Sequence, residues 1–161
     1  MRDQFVTNVN SSLSLPCLND AQFVHPELQD SCEEIINSQY LKSYWPLTRG
    51  YKKISIVYRE LLSRNLLEKT LGLKEGKAIY DQGIEFFAQH FGRDFNSVYL
   101  WKSVMEDDEG IFVPNLYINC CGEFRFAWGN IKNHRYVMED FHYIYDKEGT
   151  YEYPSVHEML S

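Results

Sequence analysis

Apolar and polar positions alternate most strictly between Asn115 and Tyr153, and that alternation predicts an antiparallel sheet. Leu116, Ile118 and Cys120 fall on one side of a strand and Tyr117, Asn119 and Cys121 on the other, because successive side chains point to opposite faces. Gly122 and Glu123 interrupt the run. Beyond them Phe124, Phe126 and Trp128 share a face opposite Arg125 and Ala127, which predicts a hairpin turning near Gly122 and ending at Gly129-Asn130. Phe124, Phe126 and Trp128 are expected against the helices. A third strand is predicted over Tyr136–Tyr145, with Phe141, Tyr143 and Tyr145 opposite His142 and Ile144. Asp146-Lys147-Glu148-Gly149 supplies a turn, and Thr150–Tyr153 a fourth strand that Pro154 stops. Ile111–Val113 opens the sheet region, with Pro114 confining that piece to an edge or a bulge.

Upstream the period changes to that of helices. Ser31 with Glu34 reads as a capping box for a helix over Cys32–Leu41, burying Ile35, Ile36 and Tyr40, with Pro46 and Gly50 closing the segment. Ile54, Val57, Tyr58, Leu61 and Leu62 mark a helix within Tyr51–Leu71, with a kink or a break near Asn65 and Gly72 as its left-handed cap. A helix over Gly76–Phe91 carries Tyr80, Ile84, Phe87 and Phe91 on one stripe and ends at Gly92. Asp94 or Asn96 would cap a fourth, shorter helix through Val98, Trp101, Val104 and Met105, although Val98–Trp101 would also suit a strand. Residues 1–27 read as an irregular arm, with a short strand at Gln22–Val24, and Val156–Leu160 as a last helical turn. The predicted architecture is one α+β domain over 1–161: an irregular arm (1–27), a mainly helical part (28–105) and a mainly antiparallel part (106–161). The N-terminal helices are expected on one face of a C-terminal meander of about four strands.

Composition adds limits. A chain of 161 residues, 44% hydrophobic and 16% aromatic, can fold around its own core. No apolar run has the length of a membrane span and the N-terminus lacks a signal-peptide core, so a cytoplasmic location and no membrane partner are expected. Cys17, Cys32, Cys120 and Cys121 lack zinc-site spacing and read as reduced thiols, Cys120 facing the core and Cys121 facing away.

Charge is segregated along the chain. Residues 1–105 hold twelve acidic and twelve basic side chains, so the whole net charge of −7 belongs to residues 106–161, with eleven acidic and four basic ones. Residues 49–77, with eight basic and three acidic groups, form a local basic stretch. It could meet nucleic acid through Arg49, Lys52, Lys53 and Arg59, or lie against the acidic sheet half. The rest of the molecule would repel a polyanion, which argues against nucleic acid.

Candidate chemistry is sparse. His134, Glu139, Asp140 and His142 form the densest group, and Asp140 and His142 point the same way on a strand, as a small hydrolase would need. No nucleophile sits in a G-x-S-x-G setting, and neither H-E-x-x-H nor a phosphate-binding loop is present, so no enzyme, metal or cofactor is expected. His25, His90 and His157-Glu158 stand alone. Glu106, Asp107, Asp108 and Glu109, joined by Glu139 and Asp140, are the expected partner-binding acids, since a field of one sign beside exposed aromatics attracts a basic partner.

A small acidic α+β chain that lacks a catalytic signature and interleaves acidic and aromatic residues resembles bacterial immunity proteins, including those of contact-dependent growth inhibition systems. The resemblance is one of general character and implies a binder that neutralises a cognate, basic toxin, such as a nuclease, by occluding its active site. It assigns no residue a role.

Overall fold

The alternation between residues 110 and 130 builds the centre of the molecule. The structure, a computed structural model, describes residues 4–9, 20–44, 53–93, 97–132 and 142–152. The elements in chain order are β1 Val6–Asn8, β2 Gln22–Phe23, β3 Ile35–Asn37, β4 Leu41–Ser43, α1 Ile54–Ser63, α2 Leu73–Asp81, α3 Ile84–His90, β5 Ser97–Tyr99, β6 Met105–Asp107, β7 Gly110–Ile118, β8 Phe124–Asn130 and β9 Tyr143–Tyr145. Strand β7 carries β8 along one edge; β6 and β5 share the other, and β2 lies outside β6, all antiparallel. Two further ribbons pair β1 with β3 and β4 with β9. The class is α+β as expected, but the sheet is not a C-terminal meander, and strands also occur in the N-terminal arm.

Pro114 explains how two strands share one edge. It lies mid-strand in β7, opposite Trp128, and its carbonyl accepts from the Leu100 N–H at 2.9 Å, so the donor that proline lacks would face the β5/β6 side. Pairing with β6 ends at Phe112 and pairing with β5 begins at Asn115, so the missing donor falls where the partner changes. The prediction of an edge or bulge position is corrected to this seam within the central strand.

Helices cover both faces, not one. Leu116 and Ile118 of β7 and Val98 of β5 pack with Leu73 and Ile79 of α2 and Phe87 of α3. Val113 of β7 and Tyr99 of β5, on the opposite face, pack with Ile54, Val57 and Leu61 of α1. Strand β9 joins the two cores, placing Tyr143 and Tyr145 in the first and Ile144 in the second. Phe124 meets Tyr80 and Phe87 at ring separations of 4.7 Å each, as the hairpin reading requires, and Trp128 packs on Phe126 at 5.6 Å.

Several local expectations give way to the structure. Cys32–Leu41 is not a helix: Ile35 is exposed and Ile36 fully buried, the two-residue period of a strand, and the Ser31 hydroxyl donates back to the Leu28 carbonyl instead of capping. The break near Asn65 is present, with Asn65 itself left-handed at φ 55°, whereas Gly72 is extended and begins α2. The stretch expected as one helix over Gly76–Phe91 divides at Gly83, whose φ of 96° no helix accommodates. Val98–Met105 is strand β5, a 3-10 turn at Trp101–Ser103 and the start of β6. Cys120 is exposed in a turn, not core-facing. Residues 150–152 form no strand, because Asp146 takes the Thr150 and Tyr151 N–H groups at 3.0 Å each. Of the predicted Tyr136–Tyr145 strand, residues 143–145 are strand, and they pair with β4. The N-terminal part of that strand, residues 156–160, the caps at Asp94 and Asn96, and Cys17 lie outside the described residues. No described helix is long and apolar enough to cross a membrane.

Candidate functional site at the acidic hairpin

The acids Glu106–Glu109 lie at the tight hairpin that joins β6 to β7. Asp107 shapes the turn, its Oδ1 accepting the backbone N–H of Glu109 at 2.7 Å and of Gly110 at 3.2 Å. Gly110 follows at φ 145°, where a side chain would be strained. With Asp107 spent on the turn, Glu106, Asp108 and Glu109 stand exposed. Among the described residues no Lys or Arg forms an ion pair with any of the three, whereas Glu33, Glu75, Asp81, Glu123 and Asp146 are each paired with a Lys or Arg.

Glu106 is held on both sides, by Gln22 of β2 and Ile111 of β7, and shares the Ile111 face, on which α1 packs. Tyr58 of α1 lies on this side, and its hydroxyl meets His25 Nε2 at 2.6 Å. Burial pushes the Tyr58 phenol up, and the negative charge of Glu106 adds to it, so Tyr58 stays protonated beside the acids. Glu27 lies 3.9 Å from the other imidazole nitrogen of His25. Tyr58 stacks on the buried Trp101 ring at 5.6 Å and 11°. A phenol and an imidazole therefore meet on the side of the sheet that carries Glu106. Sequence reading treated His25 as isolated; no local spacing joins it to Tyr58, thirty-three residues away.

The other candidates are placed differently. His142 is buried, stacked on Tyr99 at 4.8 Å, and its Nδ1 accepts from Trp101 Nε1 at 3.1 Å. Glu139, Asp140, His134, Arg49, Lys52, His157 and Glu158 lie outside the described residues. Within the basic stretch, Lys53 and Arg59 are exposed. Arg64 instead donates to the Tyr44 hydroxyl at 3.2 Å, Lys77 pairs with Asp81, and Lys69 reaches Asp146 at 3.7 Å and Glu148 at 3.6 Å. Lys69 thus ties the basic stretch to the acidic sheet half. Among the described residues no group of three or more His, Cys, Asp and Glu side chains could hold a metal ion.

Comparison with family models, with curated proteins and with solved structures finds no match to this chain.

Proposed function

We propose that the protein is a binding module of the immunity type, which neutralises a cognate basic toxin by covering its active site with the acidic β6–β7 hairpin. The observation that carries this reading is the exposure of Glu106, Asp108 and Glu109, unpaired among the described residues, on a turn that Asp107 and Gly110 hold in one shape. A carboxylate already paired with a lysine has little field to offer a partner; these three keep theirs. Asp107 contributes charge but is committed to the turn, and Glu139 and Asp140 complete the proposed acidic set. The toxin would present the Lys and Arg groups with which it holds its own anionic substrate, and covering them occludes its site by shape and by charge.

An enzymatic role for Asp140 and His142 draws less support, because the His142 ring is enclosed by Tyr99 and Trp101 with Nδ1 engaged. Nucleic-acid binding through Arg49, Lys52, Lys53 and Arg59 draws less support because the chain carries a net charge of −7, which repels a polyanion, although Lys53 and Arg59 are exposed.

The test is association with the product of a toxin gene adjoining this one. With wild-type protein, the association rate at low salt is expected to exceed that of the E106K/D108K/E109K variant by ~10-fold or more, and to fall steeply with added salt. Absence of a complex overturns the reading. A complex whose association rate ignores both salt and charge reversal overturns the acidic hairpin as its docking surface.

A further inference from the structure

At the far end of β7 from the acids, the β7–β8 connection holds two adjacent cysteines, Cys120 and Cys121, both exposed. The turn that carries them is held by one residue. Asn119 Oδ1 accepts the N–H groups of Cys121 at 3.0 Å and Glu123 at 2.9 Å, its carbonyl accepts that of Gly122 at 3.0 Å, and its own N–H donates to the Glu123 carbonyl at 2.9 Å. Gly122, at φ 80°, completes the three-residue loop, and nothing lies within 4 Å of where its Cβ would stand. Both cysteines are therefore exposed on a turn whose backbone is held by hydrogen bonds.

Adjacent cysteines are poorly placed to oxidise onto each other. Their Cα atoms are about 3.8 Å apart across a trans peptide, whereas an unstrained disulfide separates them by about 4.4–6.8 Å. A single larger, soft atom bonded to both sulfurs removes that constraint, because it inserts two bonds where the disulfide has one. We propose that Cys120 and Cys121 form a two-thiol site for a soft thiophilic centre of the trivalent arsenic class, for which thiolates are the preferred ligands. With an organoarsenic oxide the step balances: two As–S bonds form, the As–O bond and two S–H bonds break, and the oxygen leaves as water, with no change of oxidation state. Cys32 is unsuited to compete, since it is partly buried, with its thiol pushed up to about 12 by burial and then by the charge of Glu75.

The test uses phenylarsine oxide on the full chain, with thiol titration and intact mass. One equivalent is expected to add once and to remove two titratable thiols. Because the second thiol closes the ring intramolecularly, the adduct should withstand a monothiol competitor at about 1 mM that strips it from C120S or C121S. The adduct should persist in C17S and C32S. Retention of a two-thiol adduct in C120S/C121S, an adduct that uses only one thiol in wild type, or an arsenical bridging two chains each overturns the proposal. Both serine substitutions fall at exposed turn positions, and far-ultraviolet circular dichroism identical to wild type establishes that loss of binding is not loss of fold.

Discussion

Glu75 of α2 and Lys102 of the Trp101–Ser103 turn form an ion pair at 2.6 Å, with side chains only 2% and 4% exposed, and removing either partner should be among the most damaging single changes in this protein. The carboxylate also accepts the Gly72 N–H at 3.2 Å, and the ammonium also donates to the Ser31 carbonyl at 3.3 Å. Lys102→Met would leave a buried carboxylate with one backbone donor and the weak Cys32 thiol, and Glu75→Gln a buried ammonium with one neutral oxygen and an amide. Either state is expected to cost about 3–5 kcal/mol, from a total stability of about 5–15 kcal/mol. With a urea m-value of about 2 kcal/mol/M the midpoint should fall by about 2 M, read from tryptophan fluorescence. The pair E75Q/K102M, which removes both charges, should lie within about 2 kcal/mol of wild type, so a double-mutant cycle should return a coupling of several kcal/mol. A second readout separates charge from packing. Cys32 owes its raised thiol first to burial and next to Glu75, so E75Q should speed its alkylation by iodoacetamide. Single variants that cost less than about 1 kcal/mol, or a double variant as unstable as the two singles summed, would refute this reasoning.

Asp146 has a fully buried side chain that accepts from Lys42 at 2.7 Å and from two backbone N–H groups; burial opposes its charge, but these donors outweigh it and hold the carboxyl far below the usual range. Asp146→Asn should therefore cost about 2 kcal/mol at neutral pH. The wild-type advantage should be complete above about pH 4 and be lost as pH falls toward the depressed folded value; equal acid sensitivity of the two proteins in urea titrations would contradict it. Gly76→Ala should destabilise by about 1–2 kcal/mol even though alanine favours helices. Its Cβ would overlap both terminal methyls of the fully buried Leu100, and an unchanged thermal midpoint would show that the core yields there.

How far the sequence foretold this structure depends on how far apart the interacting residues lie. In α1, Ile54, Val57, Tyr58 and Leu61 recur at helical spacing and are buried, so the pattern alone sufficed. The Phe124 and Phe126 face of β8 was readable for the same reason, with the period now two. Short runs failed: Ile35-Ile36 is too brief to distinguish a helix from a strand, and a plausible capping pair at Ser31 and Glu34 tipped the reading the wrong way. Val98–Trp101 fitted both periods, and partners decided, Val98 facing α2 and α3 while Tyr99 faces α1. Strand order was out of reach, since β9 pairs with β4 across a hundred residues and β5 and β6 meet the same edge of β7 only because Pro114 sits at their seam. The β6–β7 hairpin that carries Glu106–Glu109 was not legible either, because its pairing of Met105–Asp107 with Gly110–Phe112 rests on the sheet around it, and the Tyr58–His25 contact did not follow from any local pattern.

The β7 strand links these observations into one consequence for binding. It is paired on both edges over most of its length, and its faces pack between α1 and the α2–α3 pair, so a turn at its end is carried by a strand held on every side. The β6 strand adds a second anchor, because β2 pairs with it on the side away from β7. Under the proposed binding role, the turn backbone that carries Glu106, Asp108 and Glu109 would need little ordering when a partner arrives, because the entropy of fixing it is spent in folding. For a preorganised charged turn, long-range attraction governs how fast the complex forms, while contacts made after docking govern how long it lasts. Reversing the three exposed acids should thus act chiefly on association. Replacing Asp107 with Ala, which removes the acceptor of two turn N–H groups, should loosen the turn and hasten dissociation as well, although it deletes only one charge. That difference in kinetic signature separates an acidic hairpin that works by shape and charge together from one that works by charge alone.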